Sequence, residues 1–183
     1  QLNWEYNVIL IKNIVLGLEQ DFSYIDKYYG IGFNYLSQPF QSLFLSLSNY
    51  SEISQFGFKL ILKHPIVFIL YFISGIFFYK ILKKITQDRN FSKIATVFYL
   101  IYPYLLGHSF FNSKDIPFLS LWLICTYLSC NILNKFNKLK KISLSKVIIL
   151  ALTTSFLISI RISGILIFFQ YLITLIIYLN LNS

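Results

Sequence analysis

Long apolar runs limit what this chain can fold into. A helix needs roughly 20 apolar residues to cross a bilayer core of about 30 Å. Five runs come close, at about 65–82, 92–106, 116–134, 146–160 and 164–181. Charge is scarce, because only 13% of the residues are charged, against about 25% in a typical soluble domain. The pattern predicts an all-α fold, a multi-span transmembrane helical bundle.

The first 63 residues have a different character. Apolar residues from Val8 to Leu18 recur at spacings of three and four, which predicts an amphipathic helix on the membrane surface. Further short helices are predicted at about 39–48 and 53–62. We therefore divide the chain into residues 1–63, a non-cytoplasmic loop with amphipathic or interfacial helices, and residues 64–183, a transmembrane region of about five spans. Since the chain has no methionine and begins inside folded-looking sequence, we expect an internal fragment.

The net charge of +9 does not indicate nucleic-acid binding, because most basic residues lie at the ends of apolar runs. Lys and Arg in such loops mark the cytoplasmic side of a membrane protein. Segments 80–93 and 135–146 hold ten of the sixteen basic residues and should face the cytoplasm. The opening segment, the break at 107–115 and Arg161 then share the non-cytoplasmic face.

The break at 107–115 concentrates polar chemistry between two apolar runs. A carboxylate such as Asp115 at the mouth of a span is costly and usually functional. Asp115 would bind a metal, orient a phosphate-bearing donor or help to deprotonate an acceptor. Equally, Asp115 or Ser113 would N-cap the next helix, with Pro117 in its first turn. Both interpretations stay open.

Cationic side chains lie close to this break. Lys114 and His108 flank a helix start, which is itself suited to anions. In the alternative interpretation, Lys114 extends to the lipid headgroups and His108 is an interfacial hydrogen-bonding residue. Arg161 lies between two apolar runs and needs an anionic partner: Asp115, an acid of the opening segment or a ligand phosphate. Gly164 would let the chain bend there. Cys125 and Cys130 lack metal-ligand spacing and suggest lipid-facing or packing residues.

The stretch 103–118 resembles a known family pattern. Bacterial relatives of the dolichyl-phosphate-mannose–protein mannosyltransferases (glycosyltransferase family 39, GT-C superfamily) carry Pro, a few residues, then Gly-His-Ser-Phe-x-Asn-Pro-Lys-Asp-x-Pro-Phe. Here Ser113 replaces the usual Pro. Flanking segments are also similar: 26–30 to an acidic-then-aromatic external loop, Lys63-His64 to an Arg-His pair, and 161–164 to an Arg-x-Ser/Thr-Gly turn.

The resemblance implies an enzyme that moves a sugar from a polyprenyl-phosphate donor to an acceptor protein, lipid or glycan. The site would lie on the periplasmic side of a bacterial inner membrane. Asp26 matches the acid of the first external loop that acts as catalytic base. Asp115 matches a later acid that helps to hold the donor phosphate, sometimes through a divalent metal such as Mg²⁺ or Mn²⁺.

The remaining candidate residues support these two acids. Asp21 and Glu5 are alternative catalytic acids, and Tyr29 and His64 are further candidates. The candidate ligands of the donor phosphate are Lys114, His108, Asn112 and Arg161. Two other hypotheses compete with an enzyme. In a multi-span transporter, Arg161 and Asp115 would line a path through the membrane. In a non-catalytic membrane assembly subunit, they would form a structural salt bridge.

Overall fold

The computed structural model describes residues 16–17, 32–46, 52–137 and 143–180. Across these ranges the chain is helical and contains no β-strand, which confirms the all-α prediction. Its elements are α1 (Gly32–Ser46), α2 (Glu52–Thr86), α3 (Arg89–Ile101), α4 (Pro103–Ser109), α5 (Asp115–Asn137), α6 (Leu144–Ile160), a 3₁₀ helix (Ile162–Leu166) and α7 (Ile167–Asn180).

Two helices of the described residues are long and apolar enough to cross a membrane. They cover Leu62–Thr86 within α2, with 25 residues, and Asp115–Asn134 within α5, with 20 residues. The apolar helices Leu144–Ile160 and Ile162–Ile177 are shorter. By length and composition, then, two of the five predicted spans reach the size that a bilayer requires.

The predicted run 92–106 is divided for a local reason. Pro103 has no N–H group and its ring disfavours a helical conformation at the preceding residue. Tyr102 accordingly takes ψ 117°, which ends α3, and Pro103 becomes the first residue of α4. The beginning of α3 is also set by its sequence, because Asp88 Oδ1 accepts hydrogen bonds from the N–H groups of Asn90 and Phe91 at 2.8 and 3.1 Å.

Helix α2 is the element on which the others assemble. It packs against α3 and α5, while α5 packs against α6 and α7 and α1 fits between α2 and α6. The buried apolar residues come from several of these helices and form one core: Phe33, Val67, Tyr71, Ile116, Leu121, Cys125, Leu157, Ile160 and Ile167. Burial of Cys125 agrees with its predicted packing role.

The segment before α2 agrees with prediction in part, since α1 (Gly32–Ser46) covers most of the helix expected at 39–48. The short helix expected at 53–62 is the first part of α2, which continues across position 63 as one helix of 35 residues. Leu16 and Gly17 form a turn, with φ 68° at Gly17. An amphipathic helix running through Leu18 is therefore wrong at this point, because such a φ is foreign to a right-handed helix. The rest of that predicted helix lies outside the described residues.

Candidate functional site

The break between α4 and α5 lies against two other parts of the fold. The ring of Phe110 stacks on that of Phe68 in α2, with centroids 5.3 Å apart. On the other side, Arg161 Nη1 donates to Asp115 Oδ1 in a salt bridge. These contacts bring the break, α2 and the end of α6 together at one end of the helical assembly.

Asn112 organises the break. Its Oδ1 accepts hydrogen bonds from the backbone N–H groups of Lys114 and Asp115 at 3.1 and 2.9 Å. Its Nδ2 donates to Asp115 Oδ2 at 3.0 Å and lies 3.1 Å from His108 Nδ1. The side chain that caps α5 is therefore Asn112, and the predicted capping role of Asp115 or Ser113 is wrong. Asp115 is instead the first residue of the helix and receives support from the cap.

The cap changes what the start of α5 can bind. The N–H groups of Lys114, just before the helix, and of Asp115, its first residue, already donate to Asn112 Oδ1, and Pro117 has no N–H group. A helix N-terminus binds anions through such groups, so this one has less capacity than predicted. The positive charge that would stabilise a bound anion must therefore come from side chains.

His108 contributes a hydrogen-bond donor in this arrangement. The two backbone N–H donors fix the orientation of the Asn112 amide, so its NH₂ group faces His108 Nδ1. Nδ1 must then be the acceptor, which leaves the proton of a neutral imidazole on Nε2. The ring lies between Tyr104 and Phe111, with centroid distances of 4.3 and 5.1 Å. In this tautomer His108 offers the N–H group of Nε2 to a ligand.

Arg161 occupies a break in the helical backbone. Its extended conformation, φ −147° and ψ 135°, ends α6 and precedes the 3₁₀ helix. Gly164 permits the tight return, because an added Cβ there would lie 3.0 Å from Ile158 Cα and Leu157 O. The guanidinium carbon lies 5.7 Å from the ring centroid of Phe118. Asp115 is thus the partner of Arg161, one of those predicted.

The salt bridge remains open to its surroundings. The side chain of Asp115 is 56% exposed and that of Arg161 is 35% exposed. A pair in this position keeps both charges accessible to a polar ligand, whereas full burial would demand a closed set of partners.

Lys63 belongs to this end of the molecule and was missed among the predicted site residues. It is 8% exposed, its Nζ donates to Asn34 Oδ1 at 2.8 Å, and its charge interacts unfavourably with that of Lys114. The predicted candidate His64 is exposed. The resemblance of Lys63-His64 to an Arg-His pair was the signal that pointed to Lys63. It did not show which residue of the pair faces the interior.

A metal at Asp115 stays a prediction, because the described residues supply few ligands for it. No group of three His, Cys, Asp or Glu side chains occurs within them. Asp115 Oδ1 faces Arg161 and Oδ2 accepts from Asn112, while Asn112 Oδ1 serves the backbone. Since Mg²⁺ is usually held by one or two carboxylates together with waters and substrate phosphates, Asp115 would contribute one such carboxylate, and we derive no step through a metal.

Four predicted candidates, Glu5, Asp21, Asp26 and Tyr29, lie outside the described residues. The predicted catalytic base is among them. The site described above is consequently the part predicted to hold the donor phosphate.

An apolar cavity of about 350 Å³ lies between α5, α6 and α7. Its lining includes Ser129, Leu133, Leu150 and Tyr171. Ser129 follows Asp115 by 14 residues of α5, which places the cavity about 21 Å along the helix from the salt bridge.

No protein-family model, curated protein or solved structure matches this chain. Its function is therefore inferred from the residues and their geometry.

Proposed function

We propose that this chain carries the donor side of a membrane glycosyltransferase that uses a polyprenyl-phosphate sugar. The observation that carries the proposal is the Asp115–Arg161 salt bridge, held by Asn112 at the end of two span-length helices. Intramembrane or interfacial charges of this kind usually mark a site. The family resemblance of residues 103–118 supplies the reaction class.

The charges suit a phosphate leaving group. Lys63, Lys114 and Arg161 lie at the same end as Asp115, so cations outnumber the carboxylate among the described side chains there. A guanidinium has five N–H donors in a planar fork, enough for a carboxylate and a phosphate oxygen together. Negative charge grows on the phosphate as the sugar bond breaks. Preset cations stabilise that charge more in the transition state than in the ground state.

Within this proposal, Asp115 is a positioning residue for Arg161. His108 Nε2–H donates a hydrogen bond to the phosphate, and Lys114 supplies charge beside it. The proton of the acceptor hydroxyl is removed by a carboxylate of the opening segment, with Asp26 as the first candidate. The sugar and the acceptor then meet on the non-cytoplasmic face.

The apolar surface suits a lipid-linked donor. Exposed large apolar residues occur along α6, the 3₁₀ helix and α7, among them Leu152, Ile165, Phe169 and Ile173. We propose that the runs 92–106, 146–160 and 164–181 lie in the membrane beside α2 and α5, as a multi-span bundle. The apolar lining of the cavity, which includes Leu133 and Leu150, suits part of a polyprenyl chain. The membrane would be a bacterial inner membrane, with the site on its periplasmic side.

Replacement of Asp115 tests the proposal directly. In the complete protein, Asp115→Asn should lower sugar transfer from a polyprenyl-phosphate sugar at least about a hundredfold, because Arg161 loses its ionic partner. Membrane insertion should be unchanged. Transfer is measured with a radiolabelled donor in membranes, and insertion by resistance to alkaline extraction.

Asp88→Asn is the matched control. Asp88 is the other carboxylate whose side chain the structure describes, and it caps α3. This variant should keep nearly full transfer. Full activity of Asp115→Asn would remove the role given to Asp115, whereas equal loss in both variants would point to a general effect of carboxylate removal.

A second function is favoured by the same salt bridge. A non-catalytic membrane assembly subunit would need only the structural link between α5 and α6. Replacing Asp115 and Arg161 together by leucine would leave such a subunit functional, since a solvent-accessible ion pair contributes only about 0–1 kcal/mol to stability. The same double change would inactivate a glycosyltransferase.

A further inference from the structure

A second concentration of charge lies at the far end of α2. Lys83 follows Lys63 by 20 residues, or about 30 Å of helix, which is the thickness of a bilayer core. Segment 80–93 contains five basic residues and a single acid, Asp88. The carboxylate of Asp88 accepts the N–H groups of Asn90 and Phe91 at the start of α3. It is thus engaged in capping.

Three of these cations form what we call the basic corner: Lys83, Arg89 and Lys93. All three are exposed, Lys83 in the last turn of α2 and the others one turn apart at the start of α3. The other two cations have internal contacts. Lys84 Nζ donates to Cys130 O at 2.6 Å, and Lys80 lies over the rings of Phe77 and Tyr127.

An apolar stripe begins beside the basic corner. Phe91, Ile94, Phe98 and Ile101 recur at spacings of three and four, so they share one face of α3. Each is more than half exposed, from 52% at Phe91 to 66% at Phe98. The buried Ser92 lies on a different face. The stripe therefore points away from the packed interior.

We infer that the basic corner binds the headgroups of anionic phospholipids, with the apolar stripe of α3 covered by their acyl chains. The two features together select this partner. Basic residues next to a membrane attract anionic lipid by about 1 kcal/mol per charge, and a helix with an apolar face beside its cations is typical of a bilayer interface. A nucleic acid would neutralise the cations but leave the apolar stripe in water. The inference rests on membrane insertion and is independent of sugar transfer.

The test uses the complete protein in vesicles of equal phosphatidylglycerol and phosphatidylcholine. Native mass spectrometry after gentle release measures the ratio of the two lipids retained. The wild-type protein should retain phosphatidylglycerol in excess. The variant Lys83→Gln/Arg89→Gln/Lys93→Gln should lower this ratio, by up to about fivefold for each charge removed. The matched control Lys12→Gln/Lys27→Gln/Lys59→Gln removes three charges elsewhere and should keep the wild-type ratio.

Each alternative outcome overturns the inference in a recognisable way. A wild-type ratio of one removes the lipid preference, and an equal fall in both triple variants makes it an effect of net charge. Failure of the protein to float with the vesicles removes membrane insertion itself. Binding of an RNA oligonucleotide that is lost in the basic-corner variant, with a lipid ratio of one, assigns the corner to nucleic acid. Sugar transfer is assayed separately, so its loss does not bear on these results.

Discussion

The polar cluster around Asn112 and the polar cluster around Gln170 both connect α5 to its neighbours, but they differ in charge. At Gln170, Oε1 accepts from Trp122 Nε1 at 2.6 Å and Nε2 donates to Thr126 Oγ1 at 2.8 Å. These groups are neutral and only partly exposed. At Asn112, the partners include the charged carboxylate of Asp115, whose side chain is 56% exposed.

The difference teaches where this fold can carry charge. Trp122 lies seven residues into α5, within a span-length helix, where a charge would be expensive and neutral hydrogen bonds are cheaper. The Gln170 cluster therefore satisfies its own donors and acceptors and fixes α7 against α5. Asp115 begins α5, where water is within reach. Charge available for chemistry is found at that end.

Exchange of the two charges separates chemistry from structure at the Asp115–Arg161 pair. The double variant Asp115→Arg/Arg161→Asp should keep the salt bridge and the fold, yet lower sugar transfer at least about a hundredfold, since the cation moves to the wrong helix. Donor-dependent transfer and thermal unfolding in detergent are measured together. Wild-type transfer by the exchanged pair would show that only the salt bridge between the two helices matters, and not which helix carries the cation.

Closer packing at α1 should disturb the charged end. An added Cβ at Gly32 would lie 2.0 Å from Ser159 Oγ and 3.0 Å from the Ser159 backbone carbon. Gly32→Ala should lower the free energy of unfolding by about 1–3 kcal/mol, because α1 must move away from α6. Gly107→Ala is the control: it meets nothing within 4 Å and should be neutral or stabilise by up to about 1 kcal/mol. Equal unfolding midpoints for both variants would contradict the close contact.

Loss of the neutral cluster should cost stability and spare function. Gln170→Leu leaves Trp122 Nε1 and Thr126 Oγ1 without this partner. Hydrogen bonds between membrane helices contribute about 0.6 kcal/mol each, with a maximum of about 1.7. We expect a fall of about 1 kcal/mol in the free energy of unfolding, with sugar transfer unchanged. Thr153→Val serves as control, because its hydroxyl bonds within α6. A large loss of transfer in Gln170→Leu would bring this cluster into the site.

Much of the helical architecture follows from composition. The runs at 65–82 and 116–134 correspond to α2 and α5, because an apolar segment of that length can satisfy its backbone only as a helix in an apolar medium. Pro103 accounts for the division of the run at 92–106, because Tyr102 before it leaves the helical conformation, with ψ 117°. Gly164 and Arg161 likewise form the bend that their sequence favours.

The site was less predictable from the sequence, because several neighbouring residues are suited to the same role. Asn112, Ser113 and Asp115 are all competent capping residues, and Asn112 takes the role where Phe110 packs against Phe68. Lys63 and His64 are adjacent, but successive residues of a helix point about 100° apart. Which of the two side chains is buried depends on where α1 and α5 contact α2, and the local sequence pattern does not predict that contact.

Helix α2 has one more consequence. Its 35 residues extend over about 52 Å, far more than a bilayer core of about 30 Å. Pro65 lies inside this helix and has no N–H group for the backbone hydrogen bond at that position, so the part that begins at Glu52 and the part that ends at Thr86 are joined at a weak point. Prolines are the usual positions of kinks in long helices, and this one lies three residues after Leu62, where the span-length part of the helix begins.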